Sequence, residues 1–291
     1  MKFHRNLFGK MLKVMAVLIP LGLLLRLYTY WGEIAIPTTF FSGRGIVCAL
    51  YNGIGFVFFG LCLVFSMRTK AEKGASLAAQ DESSDRSETI LGGFAGKTAV
   101  WEGTLSAFAT FLSGFGFLAY ALSWIFSENF QTDLYQMVFA ALSVLSGLYF
   151  ILVGLKNSLR RARARAFFAL LPALWCMVRM VMEYRDLARF VNKSLYIGQF
   201  LFLISAMIFF VYQAQLLLGE KALFRPNAYG FLSLSCVYFG LTARLPQLFA
   251  ALLDRVYVDL VDASSLLIDL AITLYVAVKV FAVYRERGRL S

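Results

Sequence analysis

A few charged side chains lie inside otherwise apolar stretches of this chain, and these residues could do chemistry. Arg244 lies about ten residues before Asp254, where its apolar stretch ends. At helical rise this places Arg244 roughly 15 Å below the predicted membrane surface. At that depth the guanidinium cannot easily reach water by snorkelling. Asp269 would lie at a similar depth if the last two apolar stretches form an antiparallel hairpin. We therefore predict that Arg244 and Asp269 pair, which would reduce the cost of burying either charge.

Further polar residues map to the same half of the predicted bilayer, its outer half. The candidate ligand-binding residues are Arg244, Asp269, Arg26, Arg179, Asn52, Gln199 and Gln247. One interpretation is a polar cavity that opens outward, whose arginine-rich wall would favour a small anionic ligand such as a carboxylate or a phosphate. A dry contact between Arg244 and Asp269 would remove the argument for such a cavity.

The alternative is a scatter of separately satisfied charges around a structural bundle. Arg26, Arg179 and Lys279 each lie about five residues from a predicted helix end, so their side chains could snorkel to the interface. Whether the polar residues face one another depends on how the helices pack, which leaves both interpretations open.

The sequence lacks the residues that several kinds of catalytic or metal site require. His4 is the only histidine, so neither a histidine-based triad nor a histidine metal cluster can form inside the membrane. The cysteines occur singly in apolar stretches, as small hydrophobic residues do; they are Cys48, Cys62, Cys176 and Cys236. We expect no cofactor, and an enzymatic activity is not the favoured interpretation. The acidic group at Asp254, Asp259 and Asp262 could bind a cation, but solvated loop carboxylates are the favoured explanation.

The elements that position these residues follow from composition. The chain has 291 residues, of which 60% are hydrophobic and 15% charged, against about 25% charged in soluble domains. A bilayer core needs about 20 apolar residues per helix, and eight segments qualify. The predicted spans are Val14–Trp31, Gly45–Met67, Ala99–Phe126, Leu134–Leu155, Phe167–Tyr184, Ser194–Gly219, Ala228–Leu253 and Ala263–Tyr284. The predicted fold class is therefore all-α: a polytopic helical bundle forming a single membrane domain over residues 1–291.

Basic residues set the predicted orientation. Lys and Arg concentrate in the segments that lie on one side of an eight-span bundle, which predicts cytoplasmic N- and C-termini. The connection Arg68–Thr98 is polar and poor in aromatics, so we expect a flexible cytoplasmic loop. The basic run Arg160–Arg165 predicts contact with anionic lipids. No pattern indicates nucleic-acid binding, and the oligomeric state is left open.

The leading functional interpretation is a small-solute transporter or permease-like protein of the cell membrane, with a polar site on its outer side. It depends on the charges inside the membrane and on the prolines that interrupt predicted helices: Pro20, Pro172 and Pro246. Two alternatives remain. One is a non-catalytic membrane component, such as an assembly partner or a sensor; the other is a membrane-embedded lipid-modifying enzyme.

Overall fold

A computed structural model describes residues 5–32, 43–67, 100–127, 134–155, 167–187, 197–218, 226–253 and 259–289. Those residues fold into a helical bundle, as predicted. The helices are α1 (Arg5–Gly32), α2 (Gly43–Met67), α3 (Val100–Ile125), α4 (Leu134–Gly154), α5 (Leu171–Leu187), α6 (Ile197–Leu218), α7 (Pro226–Phe239), a π segment (Gly240–Arg244), α8 (Leu245–Leu252) and α9 (Leu260–Arg289). The predicted connection Arg68–Thr98 and the basic run Arg160–Arg165 lie outside the described residues.

Seven of the described helices are long and apolar enough to cross a membrane. Each of them coincides with one predicted span, although α1 begins earlier, at Arg5, and α9 continues to Arg289. The remaining predicted span, Ala228–Leu253, forms α7, the π segment and α8 in direct succession. Together these three elements extend over roughly 40 Å at helical rise, which is enough to cross a bilayer core. The sequence predicts an interruption at Pro246 in this span, and the structure shows its form: a π segment, Gly240–Arg244, that ends two residues before the proline.

Contacts between side chains show that α3 and α9 run antiparallel to each other. Ser123 near the end of α3 bonds Ser264 near the start of α9, at 2.6 Å between the two hydroxyl oxygens. At the opposite end of the same helix pair, the Lys279 ammonium donates to the Ser106 hydroxyl at 3.2 Å. In the predicted orientation, the first contact lies at the outer end of the bundle and the second toward the inner end.

The interrupted segment occupies the centre of the bundle. Every residue from Ala228 to Gly240 is buried, and α7 packs against α1, α2, α6 and α9. The outer helices instead present large apolar side chains on their surface, among them Val17 (70% exposed) and Leu24 (66% exposed) on α1. A soluble protein seldom exposes contiguous apolar surface of this kind, whereas lipid covers it in a membrane.

Candidate functional site: a buried charge cluster

Two arginines from different elements bind the carboxylate of Asp269. Arg179 of α5 contacts both oxygens, with NH1 2.5 Å from Oδ1 and NH2 2.9 Å from Oδ2. Arg244, the last residue of the π segment, donates from Nε to Oδ2 at 2.6 Å. The Ser265 hydroxyl, one turn before Asp269 on α9, accepts from NH2 of both arginines, at 2.9 Å and 3.4 Å. Charge-assisted contacts of this kind are stronger than hydrogen bonds between neutral groups.

A second carboxylate balances the charge. Glu183, one turn after Arg179 on α5, accepts from Arg179 Nε at 2.7 Å. The Gln199 amide of α6 donates to the same Glu183 oxygen at 2.5 Å, and the Gln247 amide oxygen of α8 accepts from Arg244 at 3.0 Å. We call Arg179, Glu183, Arg244 and Asp269 the charge cluster; its two positive and two negative groups cancel.

The inner part of the charge cluster is dry. Asp269 is 0% exposed, Arg179 1% and Arg244 5%, so these charges contact one another and not water. The Glu183 side chain is 20% exposed and forms the edge of the cluster. Removing charges from water is costly, and only close pairing with well-placed hydrogen bonds repays that cost. Removing any one member would leave a buried charge without its counterion.

Aromatic rings form the floor beneath Arg179. Its guanidinium carbon lies 5.0 Å from the ring centre of Trp175 and 5.4 Å from that of Tyr120. Trp175 is itself anchored, because its indole N–H donates to the Ser143 hydroxyl of α4 at 2.7 Å. The aromatic faces attract the cation and hold its planar group toward α9.

The π segment explains how Arg244 reaches Asp269. Pro246 has no N–H and cannot donate to the carbonyl of Thr242, so the regular α-helical ladder fails at this point. Gly240, at the other end of the segment, packs directly against Thr273 of α9; a Cβ atom there would lie 2.9 Å from Cβ and Cγ2 of Thr273. The absence of a side chain lets the two backbones approach, which brings Arg244 and Asp269 together.

The predicted pairing of Arg244 with Asp269 is confirmed. The snorkelling interpretation is wrong for Arg179: its head group is buried against Asp269, and it is the carboxylate's second partner. Gln199 and Gln247 contact the charge cluster, as hydrogen-bond partners of Glu183 and Arg244. Ser265 is not among the predicted site residues, although a hydroxyl four residues before a buried aspartate lies on the same helix face and is a usable signal.

Arg26 and Asn52 lie beside Cys48 and Tyr51 of α2. Arg26 is 2% exposed, with NH1 4.0 Å from Cys48 Sγ and its guanidinium 5.2 Å from the Tyr51 ring centre. The Asn52 amide lies 3.7 Å from the same sulfur. Tyr51 connects this group to the π segment, since its hydroxyl is 3.1 Å from the Thr242 hydroxyl. Arg179, Arg244 and Asp269 close on one another in a dry contact, which removes the argument for an open outward cavity lined by these charges. A ligand-binding role for the seven candidate residues stays a prediction.

The other sequence-predicted groups have ordinary structural roles where they are described. Asp259 caps α9 by accepting the Asp262 N–H at 2.6 Å, which accounts for that carboxylate pair without a cation; Asp254 lies outside the described residues. Within the described ranges, no group of three or more His, Cys, Asp and Glu residues could hold a metal. The four cysteines are buried, as expected of small hydrophobic residues.

Comparisons with protein families, with curated proteins and with solved structures find no match for this chain. The case for a function therefore depends on the charge cluster and on the interrupted helix that carries Arg244.

Proposed function

We propose that this membrane protein is a small-solute transporter or permease-like protein in which the interrupted seventh segment moves and the charge cluster closes the path. The observation that carries this proposal is the position of Arg244, which ends the π segment and bonds Asp269 at 2.6 Å. A break in the regular helix thus coincides with a buried ion pair at the centre of the bundle.

Energetics support a functional reason for the cluster. A buried ion pair can often be replaced by apolar residues of similar volume with no loss of stability. Charges inside the membrane are therefore expensive if they only hold helices together, and they commonly mark solute or ion pathways. Discontinuous helices line the solute sites of many transporters, and π segments occur often at functional sites. The two features occur here on one residue, Arg244.

The dry contact constrains how such a transporter would work. Because Arg179, Arg244 and Asp269 bury one another, the outward polar site predicted from the sequence is closed in this conformation. Entry of a solute requires the π segment to separate from α9. Gly240 and Pro246 flank the residues that must move, and neither stabilises a regular helix.

Accessibility of Thr242 tests this proposal. Thr242 lies in the π segment and is 0% exposed, so Thr242→Cys should react only if the segment opens. The four native cysteines would first be replaced by alanine, and the protein would be reconstituted in lipid vesicles. We expect a membrane-impermeant thiol reagent to label Cys at position 242 from both faces of the membrane, in separate conformations.

A matched control is Ser205→Cys in the same background. Ser205 is also 0% exposed, and its hydroxyl donates to the Leu201 carbonyl of its own helix, so it should stay unlabelled. Labelling of position 242 from neither face, in protein that elutes as a folded monodisperse species, would contradict transport.

A second candidate is a non-catalytic assembly partner or sensor, and the dryness and charge balance of the cluster favour it. In a sensor, the cluster would be a latch that one signal releases. Labelling of position 242 from one face alone would support the sensor and exclude alternating access. Labelling from neither face would support an assembly partner with a permanently closed cluster.

The membrane and the orientation belong to the same proposal. We place the protein in the cell membrane with both termini in the cytoplasm, on the distribution of basic residues alone. Reporter fusions at either terminus, active only in the cytoplasm or only outside it, test that orientation. Anionic lipid at Arg160–Arg165 remains part of the proposal.

A further inference from the structure

We infer that a small soluble oxoanion, a carboxylate or a phosphate, binds between Arg179 and Arg244 by displacing Asp269. This inference rests on the proposed function, because it names the class of solute that the charge cluster would take when it opens. Asp269 would then act as an internal substitute for the solute, holding the two arginines apart and neutralised until an external anion competes.

The geometry around Asp269 is that of a bound carboxylate ligand. Arg179 grips both oxygens through its two terminal nitrogens, at 2.5 Å and 2.9 Å. This side-by-side arrangement is the one by which arginine recognises carboxylates and phosphates in ligands. Arg244 approaches Oδ2 from a second direction, at 2.6 Å. An oxoanion in the place of the Asp269 carboxylate would meet both guanidinium groups without rearrangement of Arg179.

The charges explain why the vacated position would attract an anion. Glu183 neutralises Arg179 through Nε, so that pair can persist when Asp269 leaves. The other hydrogen-bond partners described for Arg244 are neutral, namely Gln247 and Ser265. Departure of Asp269 would leave about one positive charge in a largely dry site, where electrostatic attraction is stronger than in water.

The donors present also predict which anions bind. Two planar guanidinium groups satisfy an anion that has at least two oxygens, whereas chloride offers a single spherical acceptor. The surroundings are tightly packed: Ser265 lies beside both arginines, and Trp175 and Tyr120 cover the face of Arg179. These walls favour a small ion such as acetate or inorganic phosphate.

Thermal unfolding of the purified full-length protein in detergent tests the inference, with acetate, inorganic phosphate and chloride titrated at constant ionic strength. We expect the unfolding midpoint to rise in a saturable way with acetate or phosphate, and not with chloride, since a ligand that binds only the folded state stabilises it. Whichever of the two ions gives the larger shift identifies the preferred class. Phosphatidylglycerol, added at the same phosphate concentration, separates a lipid headgroup from a soluble anion; stabilisation by this lipid alone would overturn the soluble class.

Three variants sharpen the test. Arg244→Gln should weaken the apparent affinity for the ion about tenfold or more, the usual effect of losing a charged hydrogen bond. Asp269→Asn should strengthen it by a similar factor, because the internal competitor loses its charge. Lys279→Gln is the matched control: it removes a half-buried cation of α9 that lies beside Ser106 and not beside Asp269, and it should leave the affinity unchanged.

Absence of any anion-specific shift in the wild-type protein would overturn the inference, even if Asp269→Asn fails to fold. An equal loss of affinity in Arg244→Gln and Lys279→Gln would also overturn it, because the effect would then be general electrostatics. The proposed function fails separately: labelling of Cys at position 242 from both faces without an anion effect keeps transport and rejects the anion.

Discussion

Arg179 binds both oxygens of Asp269, a residue 90 positions later in the chain, at 2.5 Å and 2.9 Å. Arg244 takes a third contact on the same carboxylate at 2.6 Å. Asp269 therefore joins α5, the π segment and α9 at a single buried point. Substitutions here should therefore act differently from those in a simple Arg244–Asp269 pair, because the carboxylate has two cationic partners and not one.

Neutralising Asp269 should destabilise the protein strongly. Asp269→Asn leaves Arg244 without an acidic partner and deprives Arg179 of its bidentate contact, and breaking a buried ion pair typically costs about 3–5 kcal/mol. We expect a large drop in the thermal unfolding midpoint and in the yield of monodisperse protein. Asp262→Asn is the control on the same helix, since Asp262 is exposed and its loss should cost less than about 1 kcal/mol. Equal behaviour of the two variants would contradict the shared carboxylate.

Exchanging the charges of Arg244 and Asp269 should not rescue the fold. In the double variant Arg244→Asp with Asp269→Arg, the new arginine at position 269 would face Arg179, which stays in place. Like charges in a dry site repel strongly, so we expect an unfolding midpoint no higher than that of Asp269→Asn. Partial recovery would mean that Arg179 can move away, and that its contact with α9 contributes little. Size-exclusion chromatography of fluorescent fusions would report both outcomes.

The pairing of Arg244 with Asp269 could be predicted from sequence because the two residues lie on consecutive segments at matching depths. The contact of Arg179 with Asp269 could not be predicted in this way. Arg179 lies on α5, and the sequence does not show which distant helices touch. Arg179 also lies about five residues from its predicted helix end, a position compatible with snorkelling. Only the packing of α5 against α9 distinguishes the two outcomes.

The composition of the seventh segment does not predict the π segment at Gly240–Arg244 either. Hydropathy registers a continuous apolar segment there, and Pro246 alone indicates a kink without its form. The missing N–H of Pro246 breaks the regular ladder, and Gly240 packs against Thr273 of α9, a tertiary contact that no local pattern encodes. The apolar spans were predictable because the bilayer sets their length, whereas the site depends on contacts across the bundle.

The contact between α3 and α4 supplies a test of packing away from the site. A Cβ atom on Gly147 would lie 3.0 Å from the Gly114 carbonyl oxygen and from Leu118 Cγ, so the helices approach through the two glycines. Gly147→Val should cost about 1–3 kcal/mol through overpacking. Gly60→Val on α2 is the control, because nothing lies within 4 Å of its added Cβ. Equal unfolding midpoints for the two variants would contradict close packing of α3 on α4.

The contact that positions the π segment can be tested with a double-mutant cycle. Gly240→Ala would bring a methyl group into overlap with the Thr273 hydroxyl oxygen and to 2.9 Å from Thr273 Cβ and Cγ2, which should destabilise the fold by about 1–3 kcal/mol. Thr273→Ala removes the hydroxyl and Cγ2, so the double variant should regain part of that loss. Residues in direct contact show such non-additivity, whereas distant ones do not. Strictly additive shifts of the unfolding midpoint would place Gly240 and Thr273 apart.

Replacing the whole cluster by neutral residues separates its structural role from its functional one. The variant combines Arg179→Met, Glu183→Gln, Arg244→Met and Asp269→Leu. No charged member of the cluster is then left without its counterion. Because apolar groups of similar volume often substitute for a buried ion network without loss of stability, we expect folding near the wild-type level, well above Asp269→Asn. With the charges gone, stabilisation by acetate or phosphate should disappear. A variant that unfolds like Asp269→Asn would show that the cluster is needed for the fold itself; one that still responds to these anions would place their binding site elsewhere.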